Sequence, residues 1–139
     1  MKTSKISNPI ILKIKNFIDV NGILTPIYLN KFKYFKPKRM FIASGNKNFI
    51  RGDHAHKKCS QVFIPITGKM EIIISKKKKY KFNLDSNKKK MLLVPPMHWG
   101  VVKFKENKSS FLVLCDIDYS PNEYIRNPKQ FKKILINNK

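Results

Sequence analysis

The chain has 139 residues, 42% of them hydrophobic and 12% aromatic, and carries a formal net charge of +22. That composition excludes a disordered tail and fits one globular domain over residues 1–139. Among 30 basic residues only Arg39, Arg51 and Arg126 are arginines. Scattered lysine predicts a solvated surface, not a nucleic-acid interface, which favours arginine's planar fork. So positive a field would still draw anionic ligands such as nucleotide diphosphates.

Taken in chain order, short β-branched or aromatic runs recur about every ten residues. They are IILKIKNFI, ILTPIYL, KRMFIAS, SQVFIPI, KMEIIIS, YKFNL, KMLLVPP, WGVVKF and SSFLVLCDI. Turn formers separate them, among them NG at 21–22, SGNKN at 44–48, TG at 67–68 and LDSN at 84–87. Many short strands with regular turn signals predict an all-β sandwich or barrel. EIIIS and FLVLC are apolar on both faces, as central strands of a packed β-structure are. The lysine runs 76–79 and 88–90 flank YKFNL and predict hairpin ends. Only the segment from residue 122 has helical spacing, through Tyr124, Phe131 and Leu135, and Pro128 predicts the start of a short C-terminal helix. No apolar run approaches the ~18–20 residues that span a bilayer, and the N-terminus lacks a cleavage signal. The expectation is a cytoplasmic protein with no membrane partner, in which Cys59 and Cys115 stay reduced.

The segment RGDHAHKKCSQVFIPITG, residues 51–68, holds two of the three histidines. If residues 54–64 run as a strand, His54 and His56 share a face, with Cα atoms about 6–7 Å apart. Two imidazoles aimed into one hollow can grip a metal, handle protons at neighbouring substrate atoms, or simply sit on the surface. The spacing from His54 and His56 to Gln61 and Gly68 resembles the first motif of the cupin superfamily. Metal-binding cupins commonly have Glu where Gln61 stands, and a neutral amide suits hydrogen bonding better than a divalent cation. His98, in PPMHWG, is the candidate third ligand. Acid–base chemistry is the favoured alternative, because neutral imidazole both accepts and gives protons near neutrality. Arg51 and the surrounding lysines are expected to oppose protonation of the rings. Arginines kept in a lysine-biased chain suggest a need for a planar fork: Arg51 as a ligand contact, Arg126 as a ligand contact or an ion pair.

Three segments in series, RGDHAHKKCSQ, PPMHWGVVKF and FLVLCDIDYSPNEYIRNPKQF, resemble the signature segments of the WxcM-like cupins, the sugar 3,4-ketoisomerases. DVNGILTPI and KRMFIASG extend the likeness upstream, so it covers nearly the whole chain. The resemblance implies a cupin-type double-stranded β-helix (jelly roll), without metal or other cofactor, usually dimeric by strand exchange. It implies isomerisation of a dTDP-linked 4-keto-6-deoxyhexose through an enediol(ate), supplying a bacterial surface deoxyaminosugar. His54 and His56 would be the acid–base pair, and Arg51, Gln61, Trp99, Tyr119 and Arg126 would contact substrate. The chain departs from the family at Phe41 and Ile42, where tyrosines are frequent, at Asn21, and at the NPKQ following Arg126. The rival readings are a 3,5-epimerase of keto-deoxyhexoses and a non-catalytic sugar-nucleotide-binding cupin.

Overall fold

A computed structural model describes residues 6–138. Its strands are β1 (Ile10–Lys13), β2 (Phe17–Asp19), β3 (Gly22–Leu24), β4 (Arg39–Gly45), β5 (Ile50–His56), β6 (Gln61–Thr67), β7 (Lys69–Ser75), β8 (Lys79–Asp85), β9 (Lys90–Val94), β10 (Trp99–Phe104), β11 (Ser109–Cys115) and β12 (Tyr124–Ile125). Helix α1 spans Pro128–Asn137. Two five-stranded sheets, ordered β1-β9-β6-β11-β4 and β12-β5-β10-β7-β8, are antiparallel throughout, and β2-β3 forms a separate hairpin.

The apolar runs explain the layering. Phe63 and Phe111 from the first sheet meet Ile72, Val102 and Phe104 from the second in one core. The back of the first sheet is covered as well, where Val62, Leu93 and Leu114 pack on Phe35 and Phe32. Strands buried on both sides need apolar residues at every position, which is why VFIP, MLLV and FLVLC read as unbroken runs. On the back of the second sheet, α1 lays Phe131 against Ala55, Ile125 and Trp99. The Asn127 side chain caps that helix, accepting from the backbone N–H groups of Lys129 and Gln130.

The lysine runs fall at turns on either side of β8, as expected. Two expectations change. Residues 54–64 are not one strand: β5 ends at His56 and β6 starts at Gln61. Tyr124 lies in β12, ahead of the helix that Pro128 opens. Among the described residues, no helix is long and apolar enough to cross a membrane.

Candidate active site

Between the two sheets lies a cavity of about 400 Å³. Arg51, His54, His56, Gln61 and Arg126 all line it, so five of the seven residues singled out from sequence converge on one space. Tyr119 is exposed and outside that lining, its ring 5.8 Å from that of Tyr124. Trp99 stands opposite Ala55 on the back of the sheet, away from the cavity.

The histidine pair comes from the alternation of β5. His54 and His56 face inward with their ring centroids 5.0 Å apart, edge to face, while Ala55 between them packs under α1. A carboxylate placed far along the chain stops the strand. Glu123 accepts from the backbone N–H groups of Lys58 and Cys59, and its own carbonyl accepts from Lys57 at 3.0 Å. These bonds turn the chain directly after His56. They also bring β12 alongside, pairing Tyr124 with His56.

Buried polar atoms are normally hydrogen-bonded, so exceptions carry information. Both ring nitrogens of His56 and Nδ1 of His54 are buried without a partner among the described residues. His56 is only 5% exposed. Burial is the chief cause that lowers its pKa to about 4, helped by His54 and by the charges of Arg39 and Arg126. His54 is lowered too, mainly by burial and further by Arg126; a hydrogen bond to the Gly52 carbonyl and the charge of Asp53 work in the opposite direction. The arginines responsible are therefore Arg39 and Arg126 rather than Arg51 and the lysines. Both rings are neutral near pH 7, able to accept a proton at one nitrogen and donate from the other.

Several contributors escaped the sequence reading. Tyr124 sets its ring 4.9 Å from His54 and 4.6 Å from His56, with the Arg126 guanidinium 4.6 Å from its centroid. Phe41 faces the cavity, whereas Ile42 faces outward, so a phenol at position 42 would not reach this space from its own strand. Arg39, Cys115 and Gln61 stand in register across β4, β11 and β6. Arg39 Nη2 and Gln61 Nε2 donate to Cys115 Sγ at 3.5 and 3.7 Å. The Cys59 thiol, then Gln61 and Arg39, bring the Cys115 pKa down to about 6. Both cysteines are free and buried. His98 also lines the cavity, with Nδ1 at 3.0 Å from the Pro96 carbonyl. No group of three or more His, Cys, Asp or Glu among the described residues converges as a metal-binding cluster.

The chain is similar to known proteins along nearly all its length. The family profile described as FdtA: WxcM-like, C-terminal matches residues 7–136. The TDP-4-oxo-6-deoxy-alpha-D-glucose-3,4-oxoisomerase of Aneurinibacillus thermoaerophilus is 31% identical over 127 residues, 90% of this chain and 91% of that protein. The sugar 3,4-ketoisomerase QdtA of Thermoanaerobacterium thermosaccharolyticum, solved with TDP, superposes with a TM-score of 0.87 at 26% identity, covering 96% of this chain and 98% of that one. WlaRA, a TDP-fucose-3,4-ketoisomerase of Campylobacter jejuni, superposes at 0.82 with 33% identity, covering 94% and 97%.

Proposed function

The chain belongs to the WxcM-like family FdtA and is an isomerase of the sugar 3,4-ketoisomerase type, and from that premise we propose that it moves the ketone of dTDP-4-keto-6-deoxyglucose from C4 to C3 by histidine acid–base catalysis. The observation that carries the reading is the pair of buried, neutral imidazoles whose unpartnered nitrogens face one cavity.

The 4-keto group acidifies the hydrogen on C3. A base removes that proton and the electron pair forms a C3–C4 enediolate with its charge on O4. O4 then gains a proton, the O3 hydroxyl gives one up, and a proton delivered to C4 leaves the ketone at C3 and a hydroxyl at C4. His56, with the more strongly depressed pKa, is the weaker base and serves best as a neutral donor to the enediolate oxygen. His54 carries the proton between the two carbons. A base poised closer to the working pH gives the better compromise between being unprotonated and pulling hard. Tyr124 supplies a phenol against both rings, in a chain where Phe41 offers none. Arg51 and Arg126 bind oxygens of the sugar nucleotide, and Gln61 holds the cavity wall through Cys115. Tyr119 offers an exposed ring beside Tyr124 for the thymine.

The working unit is a homodimer, located in the cytoplasm. The hairpin β2-β3 leaves Ile18 74% and Val20 99% exposed. β4 is the last strand of its sheet, and its outward side chains Met40 and Ile42 are also uncovered. A second copy that covers these surfaces and exchanges a strand at that edge removes both liabilities.

The deciding experiment incubates purified protein with dTDP-4-keto-6-deoxyglucose in deuterated buffer and follows proton NMR. A ketone relocated to C3, with deuterium at C4, is the expected result, at a rate that a chelator leaves unchanged. A ketone retained at C4 with exchange at C3 and C5 means epimerisation. No exchange with the ketone still at C4 means a binding module.

A further inference from the structure

Arg51 and His54 are three residues apart, and a regular strand would send them to opposite faces. They nevertheless line the same cavity. The reason is a bulge. In the pairing of β5 with β10, His54 lies opposite Gly100 and Gly52 lies opposite Val101, so Asp53 has no partner. Gly52 and Asp53 both adopt positive φ, 81° and 61°. A Cβ on Gly52 would come within 2.9 Å of the Gly100 carbonyl oxygen, so the first position requires glycine. Past the bulge, Arg51 stands opposite Val102, a buried residue whose side chain faces the cavity.

Asp53 is not a glycine, and left-handed backbone costs a non-glycine residue free energy unless something else holds it. What holds it is Trp99. The indole Nε1–H donates to Asp53 Oδ1 at 3.0 Å, and the Trp99 ring is itself fixed against Phe131 of α1. The hydrogen bond, itself exposed to solvent, therefore links the ring that packs on α1 to the one residue that resets the alternation of β5.

We propose that Trp99 and Asp53 are positioning residues: their hydrogen bond locks the bulge that turns the Arg51 guanidinium onto the face of His54 and His56. The inference rests on reading the cavity as the substrate site, with Arg51 as a ligand contact. Trp99 thus acts on substrate through Asp53 and Arg51, from outside the cavity.

The test is a double-mutant cycle with a structural arm. Trp99→Phe keeps the ring on Phe131 and removes the N–H. It should raise KM about ten-fold, the size expected for loss of one hydrogen bond to a charged group, with kcat changed less. In an Arg51→Ala background the same change should alter KM by less than about two-fold, because coupled residues are non-additive. Asp53→Ala should reproduce Trp99→Phe. Asp53→Asn, which retains an acceptor and tolerates positive φ, should restore KM to within about three-fold of the wild type. Equal losses in the two Arg51 backgrounds would mean that Trp99 only stabilises the fold, and would overturn the proposal. So would a crystal structure of the Trp99→Phe protein with Asp53 still at positive φ and Arg51 still in the cavity. If the wild-type protein fails to turn over the ketosugar, the functional reading falls, and the crystal structure alone judges the bulge.

Discussion

Strand β5 and the hairpin β2-β3 invert the ordinary rule of burial in opposite senses. β5 is written RGDHAH and is largely polar, yet it carries two imidazoles into the interior and leaves three of their nitrogens unpartnered. The hairpin is written with Phe17, Ile18, Ile23 and Leu24, yet all four are exposed. A polar group buried without a partner costs free energy, and so does an apolar side chain kept in water. Neither arrangement is explained by the stability of one chain on its own. Each makes sense if another molecule completes it: a substrate for β5, a second copy of the chain for the hairpin. Elsewhere Phe104, Leu92 and Val113 lie inside and the lysine-rich turns outside, while Met40 and Ile42 on the edge strand β4 share the hairpin's exposure.

The comparison breaks most visibly at the histidines. His54→Asn and His56→Asn should each lower kcat/KM by ~10²–10⁴, the usual contribution of a positioned acid or base. His56→Asn should not lower the melting temperature as a typical core substitution does, because no internal hydrogen bond is lost at His56. Thermal unfolding followed by circular dichroism, run beside the activity assay, checks both halves. Normal turnover, or a collapse of stability with each change, would show that the rings serve the fold and not the reaction.

The hairpin is the second place to press. Ile18 and Ile23 face each other across β2 and β3. Changing both to lysine should convert a dimer to a monomer in sedimentation velocity at micromolar concentration, with the circular dichroism spectrum unchanged. A charge in the buried centre of an interface is a large penalty, whereas the same charge on a free surface costs little. A wild-type protein that already sediments as a monomer would remove the explanation given for the exposed hairpin.

The sequence was most legible where one rule acted alone. Apolar runs gave away the central strands because both of their faces are covered, and Pro128 marked the helix start. β5 was the hardest to see. It has no β-branched run, its alternation slips by one at Gly52 and Asp53, and its end is set by Glu123, a carboxylate 64 residues beyond Cys59. Tyr124 kept helical spacing with Phe131 only by coincidence, since pairing with His56 fixes it as strand. Trp99 belonged to a motif shared with the site residues, and motif membership does not say which face of a strand a side chain takes. Nothing in the sequence marks Arg39, because its partner, Cys115, lies on a neighbouring strand that only the sheet order brings adjacent.

The smallest effect expected comes from acid, and its sign follows from the direction of the histidine shifts. The pKa of His56 falls from 6.5 to about 4 on folding. Between those values the unfolded chain binds a proton that the native chain does not, so stability rises with pH across that window. At pH 7 the ring is neutral in both states and the contribution is complete. As pH falls from 6.5 toward 4 it is lost, to a total of ~3 kcal/mol, and below 4 this group removes nothing more. His54 and His98 are shifted the same way and steepen the loss. Urea unfolding at fixed protein concentration, at pH 7, 5.5 and 4.5, should show the decline mostly before carboxylates begin to titrate. His56→Asn should flatten it. The hairpin variant, with no titratable change in this window, should lose stability with pH along the same slope as the wild type. A slope unaltered by His56→Asn would show that the ring reaches water in the native chain, and the contrast between β5 and the hairpin would lose its polar half.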